Sequence, residues 1–324
     1  MKKNSLFLAS ILFVIGIFCN QPTKQYIKHP GVITPDFNSD SAYKFIENQV
    51  NFGPRVPNSI AHSKCAEYLV NKMKNYKAEV IIQNIKLKAF DGTILDARNI
   101  IAQYNLSAQN RILLCAHWDT RPYADEDTAN MNIPIAGAND GASGVGVLLE
   151  IARVLSNKSP KIGIDIIFFD AEDYGEPSWN TQNKNESWCL GSQYWSANKH
   201  KKNYKANFGI LLDMIGSKGA KFTKEDNSRH FASIYVKYVW EVAQILGYDN
   251  YFIDKKTRPI IDDHFFVNTI AKIPCLVIVD YNDSTETNYG AYWHTHQDNM
   301  NIIDKNTLKA VGQTLLEIIF AEKE

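Results

Sequence analysis

Residues able to do chemistry gather where the apolar runs of this chain end. His117-Trp118-Asp119 follows Arg-Ile-Leu-Leu-Cys-Ala, and in extended chain an imidazole and a carboxylate two positions apart point the same way. Glu172-Asp173 stands just beyond Ile-Ile-Phe-Phe, and Asp213 directly follows Phe-Gly-Ile-Leu-Leu. Asp140 lies in Ala-Gly-Ala-Asn-Asp-Gly-Ala-Ser-Gly, where small residues allow close backbone approach, and His294 lies in the polar segment Trp-His-Thr. Taken singly, Asp140 is a good cap for a following helix, two adjacent acids are ordinary surface charge, and a loop histidine is ordinarily solvated. A carboxylate at the mouth of a buried strand, however, needs a partner, and a divalent cation supplies one. Hard carboxylate oxygens with one imidazole suit a zinc ion held by three protein ligands with a position left open. Asp140, Asp173 and His294 form such a set. Glu172 would then stand beside the metal as an unligated carboxylate, suited to general base and acid work.

The elements that must position these residues are readable from periodicity. Ser39 or Asp40 can cap a helix starting near Ser41. A second helix carries Ala61, Cys65, Leu69 and Met73 on one face. Period-two alternation from Glu79 to Tyr104, broken at Asp91-Gly92, predicts a β-hairpin. Apolar strands over 111–116, 164–169, 208–212 and 275–279 then alternate with helices over 142–155 and 228–246, and a last helix starts at its cap Asp304. Fully apolar strands alternating with amphipathic helices predict an α/β fold: one domain with a central twisted, mixed but largely parallel sheet covered by helices on both faces. In such sheets ligands bind at the carboxyl ends of the strands, where His117, Asp119, Glu172, Asp173 and Asp213 fall.

Lys+Arg and Asp+Glu balance at 35 each, which argues against nucleic acid or an anionic membrane surface as the main partner. Lys2 and Lys3 precede an apolar run from Leu6 to Phe18 that is too short to span a bilayer, so residues 1–19 read as a signal peptide. Cys19 follows the run as a lipid-anchoring cysteine would, although Gly16-Ile17-Phe18 fits the small-residue cleavage pattern poorly. Residues 20–40, with three prolines and no apolar period, read as a tether. A catalytic domain over 41–324, exported to the periplasm or anchored to the envelope and lacking a membrane span once mature, is the expectation. Cys65, Cys115, Cys189 and Cys275 contain no C-x-x-C pair and are expected as buried thiols. Lys199-His200-Lys201-Lys202 reads as a solvated helix end.

The series His117-x-Asp119, Asn139-Asp140-Gly-Ala, Glu172-Asp173, Leu212-Asp213 and His294-Thr295 resembles the zinc exopeptidase family of aminopeptidases over nearly all of the chain from residue 40. Within it the chain is most similar to the glutaminyl-peptide cyclotransferases (glutaminyl cyclases), through Trp293 before His294, Asp262-Asp263-His264, and Trp179 in the loop after the acid pair. The resemblance implies one catalytic zinc on Asp140, Asp173 and His294, with Glu172 taking a proton from the substrate's α-amine. It implies an acid pair, Asp213 and Asp262, that holds the departing amide nitrogen, and a pocket walled by Trp179, Tyr289 and Trp293. The substrates implied are peptides or proteins with N-terminal glutamine, turned into pyroglutamyl products with release of ammonia. His117 and Asp119 match positions that help hold a second ion in two-metal aminopeptidases. The chain departs from the animal cyclases in carrying Glu172-Asp173 where they carry Glu-Glu, and in offering no partner for a disulfide at Cys115. Two rivals stand beside this reading. A two-zinc aminopeptidase would use His117, Asp140 and Asp213 for one metal and Asp140, Asp173 and His294 for the other. A binding module with a dead site would be expected to have lost ligands that this chain keeps.

Overall fold

The computed structural model describes residue 24, residues 33–180 and residues 185–322. The expected signal peptide, with Lys2, Lys3 and Cys19, lies outside the described residues. The first helix, α1 (Ser39–Val50), begins inside the expected tether, and its cap is Asn38, whose side chain accepts from the Ser41 amide at 3.0 Å. Asparagine wins over Ser39 and Asp40 because it alone has the extended backbone a cap requires. Helix α2 (Ile60–Asn75) follows, capped by Ser59. The hairpin forms as expected from β1 (Glu79–Lys88) and β2 (Ile94–Tyr104). Then come β3 (Arg111–His117), α3 (Ala142–Asn157), β4 (Gly163–Phe169), α4 (Leu190–Ala197) and β5 (Phe208–Asp213). A short strand β6 (Phe222–Lys224), helix α5 (Asp226–Ile245), strand β7 (Phe252–Lys256), the single turn α6 (Asp263–Phe266), β8 (Cys275–Val279) and α7 (Lys305–Ala321) complete the chain.

Six strands make the main sheet in the order β1-β2-β4-β3-β5-β8. The last four are mutually parallel, and β1 and β2 add an antiparallel edge. All residues of β3, β4 and β8 are buried, the mark of strands covered on both faces. Alternate residues face opposite layers. Ile112, Leu114 and Ala116 join a core with α1, α3, α5 and α7, whereas Leu113 and Cys115 join Phe169, Trp195, Val267 and Val277 on the other side. Helix α3 is buried all round through Leu148, Leu149 and Ile151, and full burial of such a side chain is worth about 1.5–3 kcal/mol. The helix therefore fixes the rim of the sheet from which the acids emerge.

Among the described residues, Cys65, Cys115, Cys189 and Cys275 are buried and free, as expected. His200 is a correction to the solvated reading of 199–202. Its ring is half-buried between Trp195 and Tyr204, with centroids 6.1 and 4.4 Å away, because these residues and Gln103 of β2, 3.2 Å from its Nε2, pack around it. Among the described residues no helix is long and apolar enough to cross a membrane.

Candidate active site

Parallel strands bring their carboxyl ends to one rim, and β3, β4 and β5 each deliver a polar group there. At the end of β3, His117 Nε2 lies 3.0 Å from Asp140 Oδ1 and 3.2 Å from Asp213 Oδ1, and its Nδ1 lies 3.5 Å from Asp119 Oδ1. Burial opposes charge on this ring, but the three carboxylates outweigh it and hold His117 well above the ordinary histidine range. Asp119 accepts hydrogen bonds from the Glu172 and Asp173 amides at 3.1 and 3.2 Å. It thus orients the acid pair through its backbone.

Asp140 is aimed by its loop. The buried Asp298 carboxylate accepts from the Asn139 and Asp140 amides at 2.7 and 3.0 Å. The Arg55 guanidinium donates to the Ala136 and Gly137 carbonyls at 2.6 and 2.7 Å. Gly141 turns the chain into α3 at φ +92°, and a Cβ there would meet the Asp119 carbonyl at 2.3 Å. Only glycine meets both demands.

His294 Nε2 lies 3.2 Å from Asp173 Oδ1 and 3.7 Å from Asp140 Oδ2. Its other nitrogen, Nδ1, faces Asp125 Oδ1 at 3.2 Å. Arg121 grips Asp125 with two hydrogen bonds of 2.8 and 2.6 Å and also donates to the carbonyls of Asp173, Gly175 and Glu176. One buried guanidinium therefore ties the acid loop to the partner of His294.

One ligand atom from each of Asp140, Asp173 and His294 can be chosen so that all three lie within 4.8 Å of one another, and the same holds for His117, Asp140 and Asp213. The first set fits a divalent cation on the structure's own terms. Burial first, and then the charge of Asp173, pushes the Asp140 carboxyl up to about 6. Asp173 Oδ2 is buried without a hydrogen-bond partner. A cation would relieve both, and two carboxylates with one imidazole are a zinc donor set.

Glu172 belongs to a third group. One atom each from Glu172, Cys189 and Asp262 also falls within 4.8 Å of the others. Burial, reinforced by Asp173, Asp263 and Asp262 against the pull of His117, lifts the Glu172 carboxyl well above the usual carboxylate range. Asp262 caps α6 and is pushed up to about 7 by burial and then by the charge of Asp213.

The aromatic residues divide. Trp293 stacks on His294 with centroids 3.6 Å apart and meets Tyr289 at 4.8 Å. Trp179 instead stands 46% exposed against Tyr123, at 5.4 Å. Trp188 lies nearly parallel to the His294 ring, 5.8 Å from it and 4.3 Å from the Arg121 guanidinium. Arg55, Arg121, Asp125, Trp188, Cys189 and Asp298 escape the sequence reading. The i, i+4 spacing of Arg121 and Asp125, and Asp298 four residues after His294, were the signals available for three of them.

An open, largely parallel sheet with carboxylates and imidazoles converging on its carboxyl rim defines an α/β enzyme whose rim residues could hold a metal ion. The chain belongs to Peptidase family M28, whose sequence profile matches residues 99–319. Among solved structures it is similar to a glutaminyl cyclase of Bacteroides thetaiotaomicron bound to N-acetylhistamine, at 53% identity over 90% of this chain and 100% of that one, with a TM-score of 0.88. A glutaminyl cyclase of Tannerella forsythia matches at 53% identity over 89% of this chain and 100% of that one, also with a TM-score of 0.88. Aminopeptidase YwaD of Bacillus subtilis is 26% identical over 84% of this chain, which spans only 55% of that protein's length.

Proposed function

We propose that the protein is a zinc-dependent glutaminyl-peptide cyclotransferase, which converts N-terminal glutamine of peptides and proteins to pyroglutamate and releases ammonia. The observation that carries this reading is the placing of Asp262 beside Glu172, with one atom of each within 4.8 Å of the other. Hydrolysis needs a water there, whereas cyclisation needs a group to hold the departing γ-amide nitrogen. Similarity to the two solved glutaminyl cyclases supports the same reading.

Asp140, Asp173 and His294 would hold one zinc ion, which when bound supplies Lewis-acid polarisation of the glutamine γ-carbonyl. Nucleophile and electrophile belong to one residue, so the chain's main task is orientation. Tyr289 and Trp293, with Trp179 at the rim, wall the pocket for the glutamine side chain. Glu172 accepts a proton from the α-amine, which then attacks the γ-carbon and closes the five-membered ring. Glu172 returns the proton to the leaving nitrogen, which Asp213 and Asp262 hold. His117 and Asp119 support the site: the first bridges Asp140 and Asp213, the second fixes the acid pair. Residues 1–19 would direct export and 20–40 would tether the catalytic domain, 41–324, in the periplasm or, through Cys19, at the envelope.

The two-zinc aminopeptidase remains the second reading because His117, Asp140 and Asp213 converge as a second ligand set. Incubating zinc-loaded protein with a Gln-initiated and a Leu-initiated peptide separates the two. Loss of ammonia from the first with the second intact is the expected result, with one tightly held zinc per chain. Removal of whole N-terminal residues, with two zincs held, would overturn the cyclase reading.

A further inference from the structure

Cys189 is a buried thiol in contact with Glu172, and the mechanism above makes no use of it. It is fully buried and caps α4 from a left-handed backbone, φ +57°. Two backbone hydrogen bonds hold it against the acid loop: its own amide donates to the Glu172 carbonyl at 2.9 Å, and the Leu190 amide donates to the Ala171 carbonyl at 3.0 Å. The close packing of Gly191, where a Cβ would meet the Asp170 carbonyl at 2.1 Å, leaves no slack in this pairing. The side chain then reaches back to the same residue, its Sγ 3.0 Å from Glu172 Oε1. Burial, followed by the charges of Glu172, Asp263 and Asp262, pushes this thiol well above its ordinary range. As a thiol it can donate to the carboxylate oxygen.

We infer that Cys189 is a positioning residue for the base: its S–H fixes Glu172 Oε1 and leaves Oε2, on the His117 side, as the oxygen that takes the substrate's proton. Glu172 Oε2 lies 4.0 Å from His117 Nδ1. Without the thiol, Glu172 would be anchored through its backbone alone, and its carboxylate would be free to turn about its terminal torsion, which is soft and roughly two-fold. The proton transfer would then slow while substrate binding stayed the same. The inference rests on Glu172 acting as base, which it does in both the cyclising and the hydrolytic reading.

The test compares Cys189→Ala and Cys189→Ser in zinc-loaded full-length chain, assayed on whichever of the Gln- and Leu-initiated peptides the wild type turns over. Loss of a hydrogen bond to a charged group predicts that Cys189→Ala lowers kcat about tenfold with KM, zinc content and melting temperature held. Cys189→Ser, which restores a donor, is expected to recover most of that loss. Equal rates for wild type and Cys189→Ala would overturn the inference, as would a Ser variant as slow as the Ala variant. Should Cys189→Ala not fold, the infrared S–H stretching band decides: Glu172→Gln, a weaker acceptor, is expected to shift one thiol band, and an unmoved spectrum overturns the assignment. A wild type that hydrolyses the Leu peptide and leaves the Gln peptide uncyclised would sink the proposed function and leave this comparison standing.

Discussion

Glu172 and Asp173 are neighbours in sequence with opposite surroundings. His294 and Arg121 overcome burial to hold the Asp173 carboxyl below the ordinary range, whereas burial and nearby acids push Glu172 above it. Two carboxylates driven apart in this way fit a ligand and a base. Glu172→Gln keeps the shape of the side chain and removes only its basicity. Turnover is expected to vanish with zinc retained, as metal analysis beside the rate would show; a near-normal rate in the zinc-loaded variant would remove Glu172 from the mechanism. Asp125 acts one step further out, by orienting the ring of His294. Loss of such a partner commonly costs 10–100-fold in metal affinity, so Asp125→Asn is expected to weaken zinc binding by roughly that factor, as measured by competition with a chelator. An unchanged affinity would show that the 3.2 Å contact does not hold the ring. The convergence of Asp140, Asp173 and His294 was legible because carboxylates and imidazoles at strand ends lack a bland explanation as a group. Asp298 was not, because it meets the Asn139 amide across 159 residues, and the Arg121–Asp125 pair was not, because the groups it holds, Asp173 and His294, come from distant segments.

Strands β3, β4, β5 and β8 were legible as mainly apolar runs, α3 as a periodic helix and α7 by its cap Asp304. The pieces that escaped are short. Helix α6 is one turn, and β6 and β7 form a separate two-stranded sheet, with Phe222 also bridging to Asp280; segments of three to five residues carry too little periodicity to read. Yet α6 carries Asp262 at its cap, so a weakly coded element positions a central acid. The strongly coded elements set the rest of the rim through close contact. A Cβ on Gly144 in α3 would meet the Leu212 carbonyl at 2.4 Å and the Ala116 side chain at 2.9 Å. Leu212 and Ala116 immediately precede Asp213 and His117, so a displaced helix would move both site residues. Gly144→Ala is expected to lower stability by about 1–3 kcal/mol, as overpacking does, despite alanine's better helix propensity. Urea titration with a parallel rate measurement checks both. A variant as stable and as active as wild type would mean that α3 does not lie as close to β5 as described.

The whole molecule separates its two polar networks by the length of the sheet. The site occupies the carboxyl rim, while Arg111 and Asp165, near the starts of β3 and β4, form a second network at the amino end. There Arg111 pairs with Asp165 at 2.7 Å, Tyr204 donates to Asp165 at 2.7 Å, and His200 lies against Gln103 and Trp195. A sequence reading could not place His200 here, because its run of lysines looks solvated and the burying partners come from other elements. Burial brings its pKa down to about 4, with Lys201 and Arg111 adding to the effect and Asp165 opposing it. Trp195 Nε1–H also donates to its Nδ1 at 3.1 Å, a bond that protonation of that nitrogen would break. In the unfolded chain the ring titrates near its ordinary value of about 6.5. Between about pH 6.5 and about 4 the unfolded state therefore binds a proton that the folded state refuses, so stability falls as pH drops through this window. Above it His200 contributes no pH dependence, and below it the loss is complete. One proton sets an upper limit of about 1.4 kcal/mol per pH unit, and partial exposure of the ring places the actual slope below that. His200→Gln removes this term while the site carboxylates, at the far rim, titrate as before. Urea midpoints of wild type and variant across the window are expected to converge as the pH falls, through a shallower decline in the variant. Parallel declines would show that the imidazole is already protonated in the folded protein and that the amino-end network carries its charge.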